Sequence, residues 1–108
     1  MSLFNIEGSI YKIEPINGGD DGDIYIGQTT RNLLCQRMSG HRADYKRWET
    51  GKKRYYTLCD LFKKYGVENC RIVLLESVNG TKDYLNSREI HYIKTLNCMN
   101  TSGKKLTR

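Results

Sequence analysis

Glu89 is the residue whose position most demands a chemical explanation. It lies four residues after Leu85, three before Tyr92 and four before Ile93, which in a helix places a carboxylate in the stripe that faces the core. Burying it unpaired costs roughly several kcal/mol, so a strong cationic partner must accompany it. That partner is either a lysine or arginine, with Glu89 simply holding the fold together, or a metal ion. Arg37 and His41, four apart on one helical face, are either solvated surface or part of a site. Tyr11 and Tyr25 are either strand packing residues with a wet hydroxyl or acid–base groups. As a set, these types contain what phosphodiester hydrolysis needs: a carboxylate for a hard cation, a guanidinium matched to phosphate, and phenols or an imidazole able to act on water.

The elements that must position these residues are legible from periodicity. Ser9 to Ile16 (SIYKIEPI) alternates and is β-branched, Asn17 to Gly22 (NGGDDG) supplies turn chemistry, and Asp23 to Thr29 (DIYIGQT) alternates again, which predicts a β-hairpin whose first strand ends at Pro15. In an antiparallel pair Tyr11 and Tyr25 have matching parity and lie side by side on one face. From Thr30 onward Leu34, Met38 and Tyr45 form a helical stripe, with Arg37 and His41 on an adjacent face. Leu58, Leu61, Phe62 and Tyr65 predict a second helix stopped by Gly66. Arg71 to Glu76 (RIVLLE) has the pattern of a strand covered on both faces and is expected to be the central or most buried one. After an Asn79-Gly80 turn, Leu85, Tyr92, Ile93 and Leu96 predict a third helix, and Thr101 to Arg108 a polar, basic tail.

At 108 residues the chain is expected to form a single domain, with a core over about residues 8 to 100. No apolar run approaches the roughly 20 residues of a membrane span, and the start, MSLFNIEG, lacks the pattern of a secretory signal. The expected location is intracellular. Cys35, Cys59, Cys70 and Cys98 are too scattered for a structural zinc site and are expected to be reduced thiols. A formal charge of +6 favours a polyanionic partner. The excess concentrates between Arg42 and Arg54, where Arg42, Lys46, Arg47, Lys52, Lys53 and Arg54 meet only Asp44 and Glu49. Tyr45, Trp48, Tyr55 and Tyr56 are interleaved with these cations, a pattern suited to phosphate contact with rings stacking on sugars or bases.

The order of these motifs resembles the GIY-YIG nuclease family from about Gly8 to Asn100. Ile10 and Tyr11 match the last two letters of GIY, with Ser9 in place of the glycine, and Tyr25, Ile26 and Gly27 are YIG. The resemblance implies that Arg37 is the catalytic arginine, His41 a histidine found in many members, Glu89 the ligand of a single divalent metal, and Asn100 a structural asparagine. Gln28, where the repair branch often carries lysine, points to a homing-type or free-standing phage- or virus-like nuclease. Mg²⁺, with Mn²⁺ as the alternative, suits one carboxylate because it keeps several waters. Arg37 would then stabilise charge on the transition state. Tyr25 or Tyr11 would act on the attacking water, with a phenol pKa lowered by nearby cations; the resemblance favours Tyr25 as base and Tyr11 as its hydrogen-bonded neighbour, and His41 could position the water or share the base role. Asp20, Asp21 and Asp23 are assigned to the turn.

The expected fold is therefore α/β of the α+β kind: a small, mainly antiparallel three-stranded sheet from residues 9 to 16, 23 to 29 and 71 to 76, flanked by three helices. The expected function is that of a metal-dependent endonuclease acting on DNA as a monomer, with Arg42, Lys46, Arg47, Lys52, Lys53 and Arg54 on the DNA backbone and no membrane or small-molecule cofactor. The alternatives are a catalytically silent nucleic-acid-binding module of the same fold and a nuclease acting on RNA or branched DNA.

Overall fold

The computed structural model describes residues 5–30 and 32–100; the expected basic tail, Thr101 to Arg108, lies outside them. Three antiparallel strands, β1 (Ile6–Pro15), β2 (Tyr25–Thr29) and β3 (Cys70–Gly80), form one sheet in the order β2-β1-β3. Helices α1 (Leu34–Glu49) and α2 (Leu58–Tyr65) lie between β2 and β3 in the chain, and α3 (Lys82–Thr95) follows β3. No helix among the described residues is long and apolar enough to cross a membrane.

The sheet separates two cores. On one face Tyr11, Ile13 and Cys70 pack with Met38 and Tyr45 of α1 and with Leu58, Cys59, Leu61 and Phe62 of α2. On the other, Ile10, Ile26 and Val78 pack with Leu85 and Ile93 of α3 and with Cys98. Both clusters draw on adjacent residues of β1, because successive side chains of a strand point to opposite faces. β1 is thus the strand covered on both sides and bonded along both edges.

That position was expected of Arg71 to Glu76, and the structure corrects it. β3 is an edge strand: Leu74 is 47% exposed, and the ends of the apolar run are charged surface. Arg71 bonds Glu14 across the sheet at 2.8 and 3.0 Å, and Glu76 holds Arg88 of α3 at 2.8 to 3.1 Å. An apolar run reports a two-sided strand only when every residue in it is covered, and here helices cover the sheet only in part. β3 is also longer than expected, since Asn79 and Gly80 still pair with Glu7 and Ile6. The helix begins directly after them, with the Thr81 hydroxyl accepting from the Tyr84 amide at 3.1 Å as its N-cap.

The other boundaries follow local rules. β1 ends at Pro15, and α2 ends against Gly66, whose φ of 92° is costly for a side-chain-bearing residue. The hairpin loop is pinned to the end of α2: Lys64 Nζ lies 2.8 Å from Asp20 and 2.9 Å from Asp23, and the Tyr65 hydroxyl donates to Asp23 at 2.6 Å. The outer edge of β2 is closed by a side chain, since the Asn100 carboxamide accepts from Ile26 N at 2.8 Å and donates to Ile26 O at 2.9 Å. An amide that supplies one donor and one acceptor in this way imitates a neighbouring strand.

Candidate active site

Register decides what Tyr11 and Tyr25 can do. Tyr11 stands opposite Gly27, and Tyr25 opposite Ile13, so the two tyrosines are diagonal neighbours on the α1 face rather than the side-by-side pair expected from parity. Gly27 is what lets the Tyr11 ring lie across β2. A Cβ there would collide with the Tyr11 hydroxyl and the adjoining ring carbon. Opposite Tyr11 on the other side, the pairing of β1 with β3 skips Leu75 between Ile10 and Tyr11, a bulge of the kind that re-aims a side chain.

His41 comes up from α1 between the tyrosines. It is 1% exposed, which corrects its expected place on an adjacent, wetter face of the helix: with Met38 and Tyr45 it forms the buried stripe of α1. Its Nε2 lies 2.7 Å from the Tyr11 hydroxyl and its Nδ1 lies 3.2 Å from the Tyr56 hydroxyl. The Tyr11 and Tyr25 rings each sit edge-on to the imidazole at 5.9 Å, and Tyr56 stacks on it at 6.0 Å. Burial, reinforced by the Arg37 charge, lowers the His41 pKa to about 3, so the imidazole is neutral and carries one donor and one acceptor nitrogen. Tyr56 can also donate to the His41 carbonyl oxygen at 3.4 Å. When it does so, Nδ1–H donates to Tyr56 and Nε2 accepts the Tyr11 proton.

The expectation of phenols made acidic by nearby cations is not met in the protein alone. Burial raises the Tyr11 pKa, with Arg37 acting against it and Glu89 adding to it. Burial likewise pushes Tyr25 up to about 12, with Tyr11 and the Glu89 carboxylate acting in the same direction and Arg37 opposing. These influences define the neighbourhood: Arg37 from α1 and Glu89 from α3, on helices covering opposite faces of the sheet, both act electrostatically on both tyrosines. Between the two helices lies β2, an edge strand whose central residue, Gly27, has no side chain.

Glu89 itself is half-buried rather than sealed in the core. Leu85 and Ile93, four residues to either side, take the apolar contacts. Its partner is neither lysine nor arginine but the Gln28 side-chain amide, which donates to Oε1 at 2.8 Å. No ion pair of Glu89 occurs among the described residues, nor does any cluster of three or more His, Cys, Asp or Glu suited to a metal. A single half-exposed carboxylate without a cationic partner fits a hard divalent ion that retains most of its waters; it does not fit zinc, which demands more protein ligands.

The basic segment divides. Arg42, Lys46, Arg47, Lys52, Lys53 and Arg54 are all exposed on α1 and the loop after it, with Lys53 3.9 Å from Asp44. Of the interleaved aromatics, Tyr45 and Tyr56 do other work, which corrects the stacking role expected of those two. Tyr45 is buried against Phe62, Trp48 packs on Tyr45, and Tyr56 serves His41. Tyr55, 51% exposed, donates its hydroxyl to Asp60. Tyr56 is the site residue to which sequence reasoning assigns the wrong task, and nothing in its spacing links it to His41. Gln28 is visible in the sequence only as a departure from a motif, although Lys82, Asn86 and Glu89 form a polar i, i+4, i+7 row on α3 that points to a shared partner.

Fold and site together define a small α+β catalytic domain. The sequence matches the family model described as the GIY-YIG catalytic domain over residues 7–102, and the chain belongs to that family. Among solved structures it is similar to a mutant form of the catalytic domain of intron endonuclease I-TevI, at 24% identity over 85% of this chain and 86% of that one, with a TM-score of 0.58. No curated relative matches the chain. The expected three-stranded antiparallel sheet with three helices is the fold observed.

Proposed function

We propose that this domain is an endonuclease that hydrolyses DNA phosphodiester bonds with one divalent metal ion, Mg²⁺ or Mn²⁺, held by Glu89. The observation that carries the reading is the convergence of Tyr11, Tyr25 and a neutral His41 within reach of two opposite charges, Arg37 and Glu89. Family membership supports catalysis, and the similar I-TevI domain is named as an intron endonuclease.

The bound ion would supply charge neutralisation and a polarised water. The chain supplies the rest. Arg37, permanently charged and half-exposed, binds the scissile phosphate and stabilises charge that develops there. Tyr25 is the partly exposed phenol of the pair and is assigned to the attacking water; a cation at Glu89 would offset the carboxylate charge that raises the pKa of both phenols. Tyr11 is buried, and its hydroxyl meets His41 Nε2, a neutral hydrogen-bond acceptor that holds the phenol in place. Arg42, Lys46, Arg47, Lys52, Lys53 and Arg54 are the proposed contacts to the flanking DNA backbone.

The experiment is cleavage of supercoiled plasmid with Mg²⁺, with EDTA, and with Glu89→Ala. Metal-dependent nicking that disappears in the variant supports the proposal. Plasmid left intact by the wild type, with binding retained, favours a silent binding module, and cleavage confined to RNA or branched oligonucleotides moves the substrate assignment.

A further inference from the structure

The Gln28 side chain, which the catalytic scheme does not use, sits at the centre of a polar cluster around Glu89. Its Nε2 donates to Glu89 Oε1 at 2.8 Å and to Asn86 Oδ1 at 2.7 Å, and its Oε1 accepts from Lys82 Nζ at 2.9 Å. A primary amide has two N–H donors on one end and an acceptor oxygen on the other. Here both donors meet acceptors, and the oxygen meets an ammonium. Flipping the amide would set its oxygen against two acceptors and its nitrogen against a cation, so the three neighbours fix one orientation.

We propose that Gln28 is the positioning residue for Glu89: it holds one carboxylate oxygen, Oε1, and leaves the other to take the divalent ion. The inference rests on Glu89 as metal ligand. Two physical effects act together. A ligating carboxylate on a long side chain loses rotamer freedom on binding, and a fixed hydrogen bond removes part of that cost beforehand. Gln28 also stands between Lys82 and Glu89. Lys82 is exposed at the first turn of α3, close enough to share an amide with the carboxylate. Without the amide between them, an ammonium paired directly with Glu89 would compete with the metal for the same charge. Gln28 bonds the lysine through its oxygen and passes only a dipole on to Glu89.

The test compares wild type, Gln28→Met and Glu89→Gln. Methionine keeps the length of the side chain and cannot donate; Gln28→Ala serves as the second variant should Gln28→Met fail to show a wild-type thermal transition. Two quantities are read: Mn²⁺ affinity of the DNA-free protein, from the electron paramagnetic resonance signal of free Mn²⁺, and the nicking rate as a function of Mg²⁺ concentration. Gln28→Met is expected to weaken Mn²⁺ binding and raise the half-saturating Mg²⁺ by about 10- to 100-fold. Its rate at saturating Mg²⁺ is expected to stay within about threefold of wild type, because the metal, once bound, completes the same site. Unchanged Mn²⁺ affinity and Mg²⁺ half-saturation in Gln28→Met, with binding lost in Glu89→Gln, would overturn the role of Gln28 alone. Wild-type Mn²⁺ affinity in Glu89→Gln would overturn the assignment of Glu89, and this inference with it.

Discussion

Acid should destabilise this protein through His41. In the unfolded chain a histidine titrates near pH 6.5; in the folded protein, burial and Arg37 lower the His41 value to about 3. Between those values the unfolded chain binds a proton that the folded chain refuses, so stability falls as pH is lowered, beginning near the unfolded value and continuing down to the folded one. The slope is about 1.4 kcal/mol per pH unit for one proton, so lowering the pH from about 7.5 to about 5 removes ~2 kcal/mol. That is a large share of the roughly 5–15 kcal/mol that holds a domain together. Urea unfolding at the two pH values measures it, in wild type and in His41→Gln, whose side chain stays neutral throughout. Each protein serves as its own reference, so the intrinsic cost of the substitution cancels. The wild type is expected to lose ~2 kcal/mol more than the variant over this interval. Equal losses would refute the neutral, desolvated imidazole between Tyr11 and Tyr56, and with it the reading of Nε2 as the acceptor of the Tyr11 hydrogen bond.

Two further outcomes follow from the same geometry. Gly27→Ala forces a methyl group into the Tyr11 ring, which is held in place by His41; the expected cost is ~1–3 kcal/mol in denaturant unfolding, with cleavage falling on the order of tenfold or more as Tyr11 is displaced. Wild-type stability and rate in that variant would show that the ring can move without consequence. Replacing Lys46, Arg47, Lys52 and Lys53 by glutamine should weaken duplex binding and flatten its salt dependence by about 0.9 in the log–log slope for each phosphate no longer neutralised; an unchanged slope would remove this segment from the DNA interface.

The hairpin, the helix stopped by Gly66 and the α3 stripe of Leu85 and Ile93 are readable from sequence because each is written in local periodicity and turn chemistry. The central strand is not, since whether Leu74 is covered depends on how far α1, α2 and α3 extend over the sheet, and no local pattern encodes that. His41 is misplaced on its helix for a related reason. Its polarity suggests the face beside the Leu34, Met38 and Tyr45 stripe, and only Tyr11 and Tyr56, from a strand and a loop, supply the partners that let it be buried.

The sequence by itself determined the types of group at the site and their order, Tyr11, Tyr25, Arg37, His41 and Glu89, because motif spacing is a property of the chain. Tertiary structure alone decided how they meet. Pairing register set Tyr11 across Gly27 rather than beside Tyr25. Packing supplied Tyr56 as the partner of His41, and the approach of α3 to β2 gave Glu89 the Gln28 amide, and neither a lysine nor an arginine, as its side-chain partner. Hydrogen bonds between residues 15, 30 and 61 positions apart arise from the way elements stack, and that information is absent from any local window of the chain.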